Sequence, residues 1–315
     1  MAEAYLGIEI GGTKLQVVLG DGRGHIERRE RFQVVAAEGG EGIRNRLREV
    51  LPVLTSAHAP VAVGVGFGGP VDWRSGTIRC SHQIAGWADY PLGDWLAEVT
   101  GLPVRVENDA NVAAFGEAGA GAGRGFRTVF YVTLGSGVGG GLAVDGGIYH
   151  GAAPGEVEIG HVRLDRSGAT VESRCSGWAV DRRLRQLVEE HPDGRLAQLA
   201  GDRPGGEARH LEAALTAGDT AAEGLLAEVT GDLAFGLSHV VHLLHPEVIV
   251  VGGGLSLLGE PLRAAVACAL EPLIMDAFRP GPAVRLAGLG EDAVPTGALL
   301  LAATLPLAPA NHRCD

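Results

Sequence analysis

Residues 6–22, LGIEIGGTKLQVVLGDG, align without a gap on residues 130–146, FYVTLGSGVGGGLAVDG. Each stretch reads as strand, glycine turn, strand and Asp-Gly turn, because apolar β-favouring runs suit extended chain and glycine supplies the bend. Gly11 falls on Gly135, and Asp21-Gly22 falls on Asp145-Gly146. A unit repeated at this distance is too widely spaced for a solenoid. It constrains the chain to two similar lobes, each offering a glycine hairpin to a shared cleft. The 315 residues suffice for two cores.

Gly135, Gly137 and Gly140 also spell G-x-G-x-x-G, the pattern of a dinucleotide-binding turn. That fingerprint needs its glycines where a strand passes into a helix, with an acidic residue about 20 positions on. Here GLAVDGG follows, which predicts a second strand and another turn. Gly-Lys-Ser/Thr is also missing, so neither a dinucleotide turn nor a P-loop is expected. A hairpin tip of bare backbone can still aim N–H groups at phosphate oxygens, since nothing blocks close approach. A third group, Gly252-Gly253-Gly254, follows the apolar strand EVIVV and precedes a helical pattern with Pro261 near its start.

The net charge of −12 disfavours nucleic acid or an anionic membrane as partner, because no surplus of Lys and Arg is available to neutralise phosphates. No apolar run reaches the length of a membrane span, and MAEAYLGIEI lacks the layout of a signal peptide. Cys80, Cys175, Cys268 and Cys314 form no C-x-x-C pair and read as reduced, structural thiols of a cytoplasmic protein. Residues 178–245 are mostly helical in pattern. Within them His239, His242 and His245 stand at i, i+3 and i+6, a spacing that drifts around a helix, so no metal site is expected there. The four tryptophans are expected in core or interface positions, with Trp87 open between the core and the cleft.

In VENDANVAAFGEA a strand breaks into a helix, and Glu107, Asn108 and Asp109 bunch at the break. Asn and Asp are good N-cap residues, so Asp109 reads first as a helix cap. Strand ends are also where α/β proteins place ligands, and a carboxylate there can accept the proton of an attacking hydroxyl.

E-I-G-G-T-K at Glu9–Lys14, G-G-P-V-D at Gly68–Asp72, E-N-D-A-N at Glu107–Asn111, L-G-S-G-V-G-G-G at Leu134–Gly141, E-I-G-H at Glu158–His161 and V-V-G-G-G at Val250–Gly254 follow one another in that order. In this the sequence resembles the ROK sugar kinases over nearly its whole length. The resemblance implies an α/β, two-lobed actin-like ATPase fold with ribonuclease H-like duplicated domains around a central cleft. Residues 1–108 would form the N-terminal lobe, completed by the C-terminal helix of about 296–315, and 109–295 the C-terminal lobe.

The implied activity is ATP-dependent phosphorylation of a hexose hydroxyl, with glucose leading and N-acetylmannosamine, N-acetylglucosamine, fructose or allose as alternatives. By position Asp109 would be the catalytic base. Gly69, Asn108, Glu158, His161 and Glu172 would hold the sugar. Gly11, Gly12, Thr13, Lys14, Ser136 and Gly137 would face the terminal phosphates of ATP, with Gly253 and Gly254 near the adenosine. A homodimer is the family expectation.

Two departures stand out. The family's first phosphate loop usually begins with Asp; here Glu9 would hold Mg²⁺, with one methylene more reach. The usual C-x-C-G-x-x-G-C zinc loop is replaced by VRLDRSGATVE at 162–172, with no cysteine, so no structural zinc is expected. His161 then reads either as a sugar ligand or as a packed histidine. A non-catalytic sugar-binding regulator is the alternative from a different class; retention of Asp109 argues against it. A DNA-binding repressor of the same family would carry a winged helix before the first loop; with the loop's strand beginning within the first few residues of this sequence and no basic segment before it, that reading is not expected.

Overall fold

The computed structural model describes residues 3–81, 83–153, 155, 157–200 and 207–306. Their order begins β1 (Ala4–Ile10), β2 (Lys14–Asp21), β3 (Ile26–Gln33), α1 (Gly39–His58), β4 (Val63–Phe67), β5 (Val71–Asp72), β6 (Thr77–Ile78) and α2 (Leu92–Thr100). It continues with β7 (Val104–Asn108), α3 (Asp109–Ala120), β8 (Thr128–Leu134), β9 (Val138–Val144), β10 (Gly147–Ile148), α4 (Val171–Cys175) and α5 (Gly177–Glu190). The remainder is α6 (Arg195–Ala200), α7 (Leu211–Thr216), α8 (Thr220–Leu244), β11 (Val248–Gly252), α9 (Glu260–Leu270), β12 (Ala283–Leu286) and α10 (Ala293–Ala303).

Two compact units result. The first comprises Met1–Gly125, Gly141–Glu156 and Gly288–Asp315; the second comprises Phe126–Gly140 and Val157–Ala287. The expected break at 108/109 is therefore corrected: β7, Asp109 and α3 stay together in the first unit. The reason lies in packing. Gly116 of α3 and Gly297 of α10 let the two helices approach backbone to backbone, and a Cβ on Gly297 would stand 2.0 Å from the Val112 carbonyl oxygen.

The first unit is built on the sheet β3-β2-β1-β4-β7. β1 runs antiparallel to β2 and parallel to β4, with Ile8 opposite Val17 on one side and Val65 on the other. Strands covered on both faces read as continuous apolar runs, and β4 is buried at every residue. One face packs Leu6, Ile8 and Ile10 against Ile43, Leu47 and Leu51 of α1 and Leu92 and Leu96 of α2. On the other, Tyr5 and Val18 meet Leu299 and Ala302 of α10. The outer strand β3, IERRERFQ, carries charge along an exposed edge, which discourages pairing with another chain.

The second sheet repeats the plan: β10-β9-β8-β11-β12, with β11 parallel to both β8 and β12. β9 follows the Gly135–Gly137 turn directly, so the dinucleotide and P-loop patterns are ruled out by geometry as well as by sequence. Asp145 and Gly146 both have positive φ, 49° and 77°, the two-residue turn whose twist matches a hairpin. Helix α8 starts at Asp219, which accepts the Ala221 and Ala222 N–H groups, and ends at His245 with φ 48°.

The three histidines of that helix point to different partners. His239 Nδ1 lies 2.8 Å from the Phe235 carbonyl, His242 Nε2 accepts the Met275 N–H at 3.2 Å, and His245 stacks on Phe278. Trp87 is buried among Phe67, Tyr90 and Arg44, which decides it as a core residue, while Trp178 is exposed. Cys314 lies outside the described residues.

Candidate active site

In the first unit three loops leave the same end of neighbouring strands β1, β4 and β7. Asn108, in extended conformation, caps α3 by accepting the N–H groups of Ala110 and Asn111, so Asp109 becomes the first helical residue. The N-cap is thus Asn108, and Asp109 Oδ1 shares the Ala110 N–H with it at 2.9 Å. Asn108 Nδ2 donates to the Gly69 carbonyl at 3.2 Å, tying β7 to the Gly-Gly-Pro loop. Gly68 is the meeting point: a Cβ there would stand 3.3 Å from Asp109 Oδ2 and 3.7 Å from Gly11 Cα. The Gly68 N–H donates to the Ile10 carbonyl at 2.8 Å, which fastens that loop to the first glycine turn. Asp109, Asn108, Gly69, Gly11 and Gly12 therefore come together.

Glu9 is nearly buried beneath this turn. Lys14 Nζ lies 3.1 Å from its Oε1, and Gln16 Nε2 donates to its Oε2 at 2.6 Å. Burial raises the Glu9 pKa, with the Lys14 charge opposing that shift. Lys14, expected toward the phosphates, is thus paired with Glu9, and Thr13 is exposed at the tip. A carboxylate that already pairs with an ammonium here is of the donor type that suits a hard cation.

Sequence reasoning placed Glu107 among the polar bunch without a role. It is fully buried and receives Arg105 Nη2 at 2.9 Å and lies 3.0 Å from His150 Nε2, whose ring stacks on Trp73. Gln83 was missed altogether, yet its side chain lies over Gly12, on the space a Cβ would fill. Neither partnership has a signal in local sequence, because the partners stand 43 and 71 positions apart.

The second unit assembles the remaining candidates around its own hairpin. Glu172 Oε2 accepts the Val138 N–H at 2.9 Å, and a Cβ on Gly137 would stand 2.5 Å from the same oxygen. The Gly177 N–H, at the start of α5, donates to the Gly135 carbonyl at 2.7 Å. Gly140 and Gly160 let the E-I-G-H segment lie directly on β9: Cβ atoms there would stand 2.7 Å from the Val157 carbonyl oxygen and 2.2 Å from that of Val138. Val157 holds φ 59°, a strained state for a β-branched residue, immediately before Glu158. Glu158, His161 and Ser136 are exposed. Gly253, with φ 82°, packs on the Leu134 backbone, whereas the space beside Gly254 is open. Among the described residues no three potential metal ligands cluster.

A model of the ROK family matches residues 5–304. A glucokinase of Halalkalibacterium halodurans is 33% identical over 304 residues, covering 92% of each chain. A glucokinase of Thermotoga maritima is 31% identical, covering 90% of this chain and 94% of the relative. The crystal structure of a ROK family glucokinase from Streptomyces griseus in complex with glucose and AMPPNP superposes with a TM-score of 0.83 at 32% identity, covering 95% and 99% of the two chains. Two sheets of the same strand order, a hairpin in each and a near full-length match lead to one assignment: the chain belongs to the ROK family and has the mixed α/β, actin-like ATPase fold.

Proposed function

We propose that the protein is an ATP-dependent hexose kinase that converts glucose to glucose 6-phosphate. The observation that supports this reading is the position of Asp109 Oδ2 beside Gly68, itself packed on the Gly11 turn: a carboxylate next to a glycine turn within one unit. The likeness to glucokinases, one of them bound to glucose and an ATP analogue, supports the choice of substrates.

Asp109 accepts the proton of the sugar hydroxyl as its oxygen attacks the γ-phosphorus. The bond to the bridging oxygen breaks, and ADP leaves with that electron pair. Asn108, Gly69, Glu158, His161 and Glu172 are the residues assigned to the other hydroxyls; carboxylates and amides accept and donate together, as a neutral polyol requires. The N–H groups of Gly12, Thr13, Ser136 and Gly137 are assigned to the phosphates; Gly11, whose own N–H closes the turn onto the Lys14 carbonyl, allows close approach, the Lys14 ammonium beside Glu9 adds positive charge, and Gly253 and Gly254 are assigned to the adenosine. Glu9 would hold Mg²⁺, which would supply charge neutralisation at the transferring group. A cytoplasmic homodimer completes the proposal; light scattering of the purified protein tests the assembly.

An ADP-release assay across hexoses and acetylated hexosamines is the test. Glucose is expected to give the highest kcat/KM. A higher value for N-acetylmannosamine or fructose overturns the substrate, and no turnover with any sugar overturns the reading.

A further inference from the structure

The segment from Val162 to Gly177 is where the chain departs most from the pattern it otherwise follows, since the cysteines of a zinc loop are missing. It closes on itself instead. The Leu164 N–H donates to the Ala169 carbonyl at 2.8 Å, and Arg163 and Thr170 form an antiparallel bridge. Asp165 Oδ1 accepts the Ser167 hydroxyl and the N–H groups of Gly168 and Ala169, at 2.7, 2.9 and 3.2 Å. The Ser167 hydroxyl, then those amides, holds the Asp165 carboxyl below its ordinary range.

Thr170 then starts α4. Its hydroxyl accepts the Ser173 N–H at 3.2 Å, and the Ser173 hydroxyl accepts the Thr170 N–H at 2.9 Å. This reciprocal capping pair satisfies two donors that a helix start leaves open. Glu172 sits between the two capping residues in sequence and reaches Val138; five positions on, Gly177 reaches Gly135. One continuous segment, residues 170–177, therefore grips the hairpin tip on both sides.

A zinc ion does not fit these residues. His161, Asp165, Glu172 and Cys175 are the groups between 161 and 176 able to ligate one, and no three such groups meet among the described residues. Cys175 is buried away from the other three, donates to the Val229 carbonyl at 3.5 Å, and has its thiol pushed up to about 12 by burial.

We propose that Thr170 and Ser173 are positioning residues for Glu172, and that their capping pair, rather than a metal ion, ties the hexose-side carboxylate to the phosphate-side hairpin. The inference rests on the roles given above to Glu172 and to Gly137. Its consequence is that loosening the cap disturbs glucose and ATP binding together, although Thr170 touches neither.

Four measurements test it. In Thr170→Ala, KM for glucose and for ATP is expected to rise about fivefold each, the effect of losing one cap, with kcat changed less. Thr170→Ser restores both. Amide exchange across residues 134–140 quickens in Thr170→Ala and not in Thr170→Ser. Protein purified without chelators carries far less than one zinc per chain, and a zinc-selective chelator in excess Mg²⁺ leaves KM unchanged. The inference is overturned by one tightly held zinc per chain whose removal raises KM, by unchanged exchange at 134–140, or by a Thr170→Ala defect in kcat alone. Exchange and metal content need no turnover. A chain that phosphorylates no sugar yet shows both results loses the hexose reading and keeps the capping one.

Discussion

At the scale of single residues, the kinase reading depends on Asp109 Oδ2 lying beside Gly68 while its Oδ1 shares the Ala110 N–H with Asn108. Asp109→Asn keeps the shape of the side chain and removes the base. Turnover is expected to fall about 10²- to 10⁴-fold with an unchanged melting temperature, measured on the same preparation. Glu9 gives a second prediction, with a definite sign. Its pKa is raised by burial, so the native state keeps the proton to higher pH than the unfolded chain does. Its contribution to stability is therefore full below the ordinary carboxylate pKa and is lost as pH rises through the raised value. Urea unfolding at a series of mildly acidic pH values should show stability falling less steeply with pH in Glu9→Gln than in the parent. Asp109 and Glu9 were both legible in the sequence, since each stands inside a recognisable motif. The partners that tune them, Asn108 as cap and Gln16 as amide donor, were not, because only coordinates reveal which donor reaches which oxygen.

At the scale of elements, glycines set how closely backbones approach, and they reverse an ordinary expectation. Gly→Ala inside a helix usually stabilises. In α10, Gly297→Ala would place a methyl 2.0 Å from the Val112 carbonyl oxygen of α3. The expected result is a loss of about 2 kcal/mol or more, read from the urea midpoint. Glu117 works on the same helix pair: fully buried, it accepts the N–H groups of Ala122, Gly288 and Leu289 at 2.7, 3.0 and 2.9 Å. The strands, the hairpins and the start of α3 were readable from periodicity and turn chemistry. The capping pair of α4 was not, because T-V-E-S is a short polar run whose meaning depends on a hairpin over thirty positions earlier.

At the scale of the molecule, duplication organises the chain but does not divide it in sequence. The chain passes between its units at 125/126, 140/141, 156/157 and 287/288. A fragment of residues 1–125 lacks α10, which supplies Leu299 and Ala302 to Tyr5 and Val18, and Ala298 and Leu301 to Val112. Such a fragment is expected to show no cooperative unfolding transition by circular dichroism, whereas the full chain shows one. Helix α10 packs on the first sheet and on α3 although it lies near the far end of the chain. The expected break at 108/109 does not match, because a strand-to-helix junction looks like a boundary in sequence and is here a packed corner.

The sequence by itself determined the duplicated α/β plan, the three glycine turns and the candidate base, since each of these follows from local pattern: alternation, glycine at a bend, a carboxylate at a strand end. Only the tertiary structure decided which helix closes which sheet, which carboxylate grips which hairpin and how a loop without cysteines is held. Those outcomes depend on contacts between residues tens to hundreds of positions apart, and packing geometry, not propensity, selects among them.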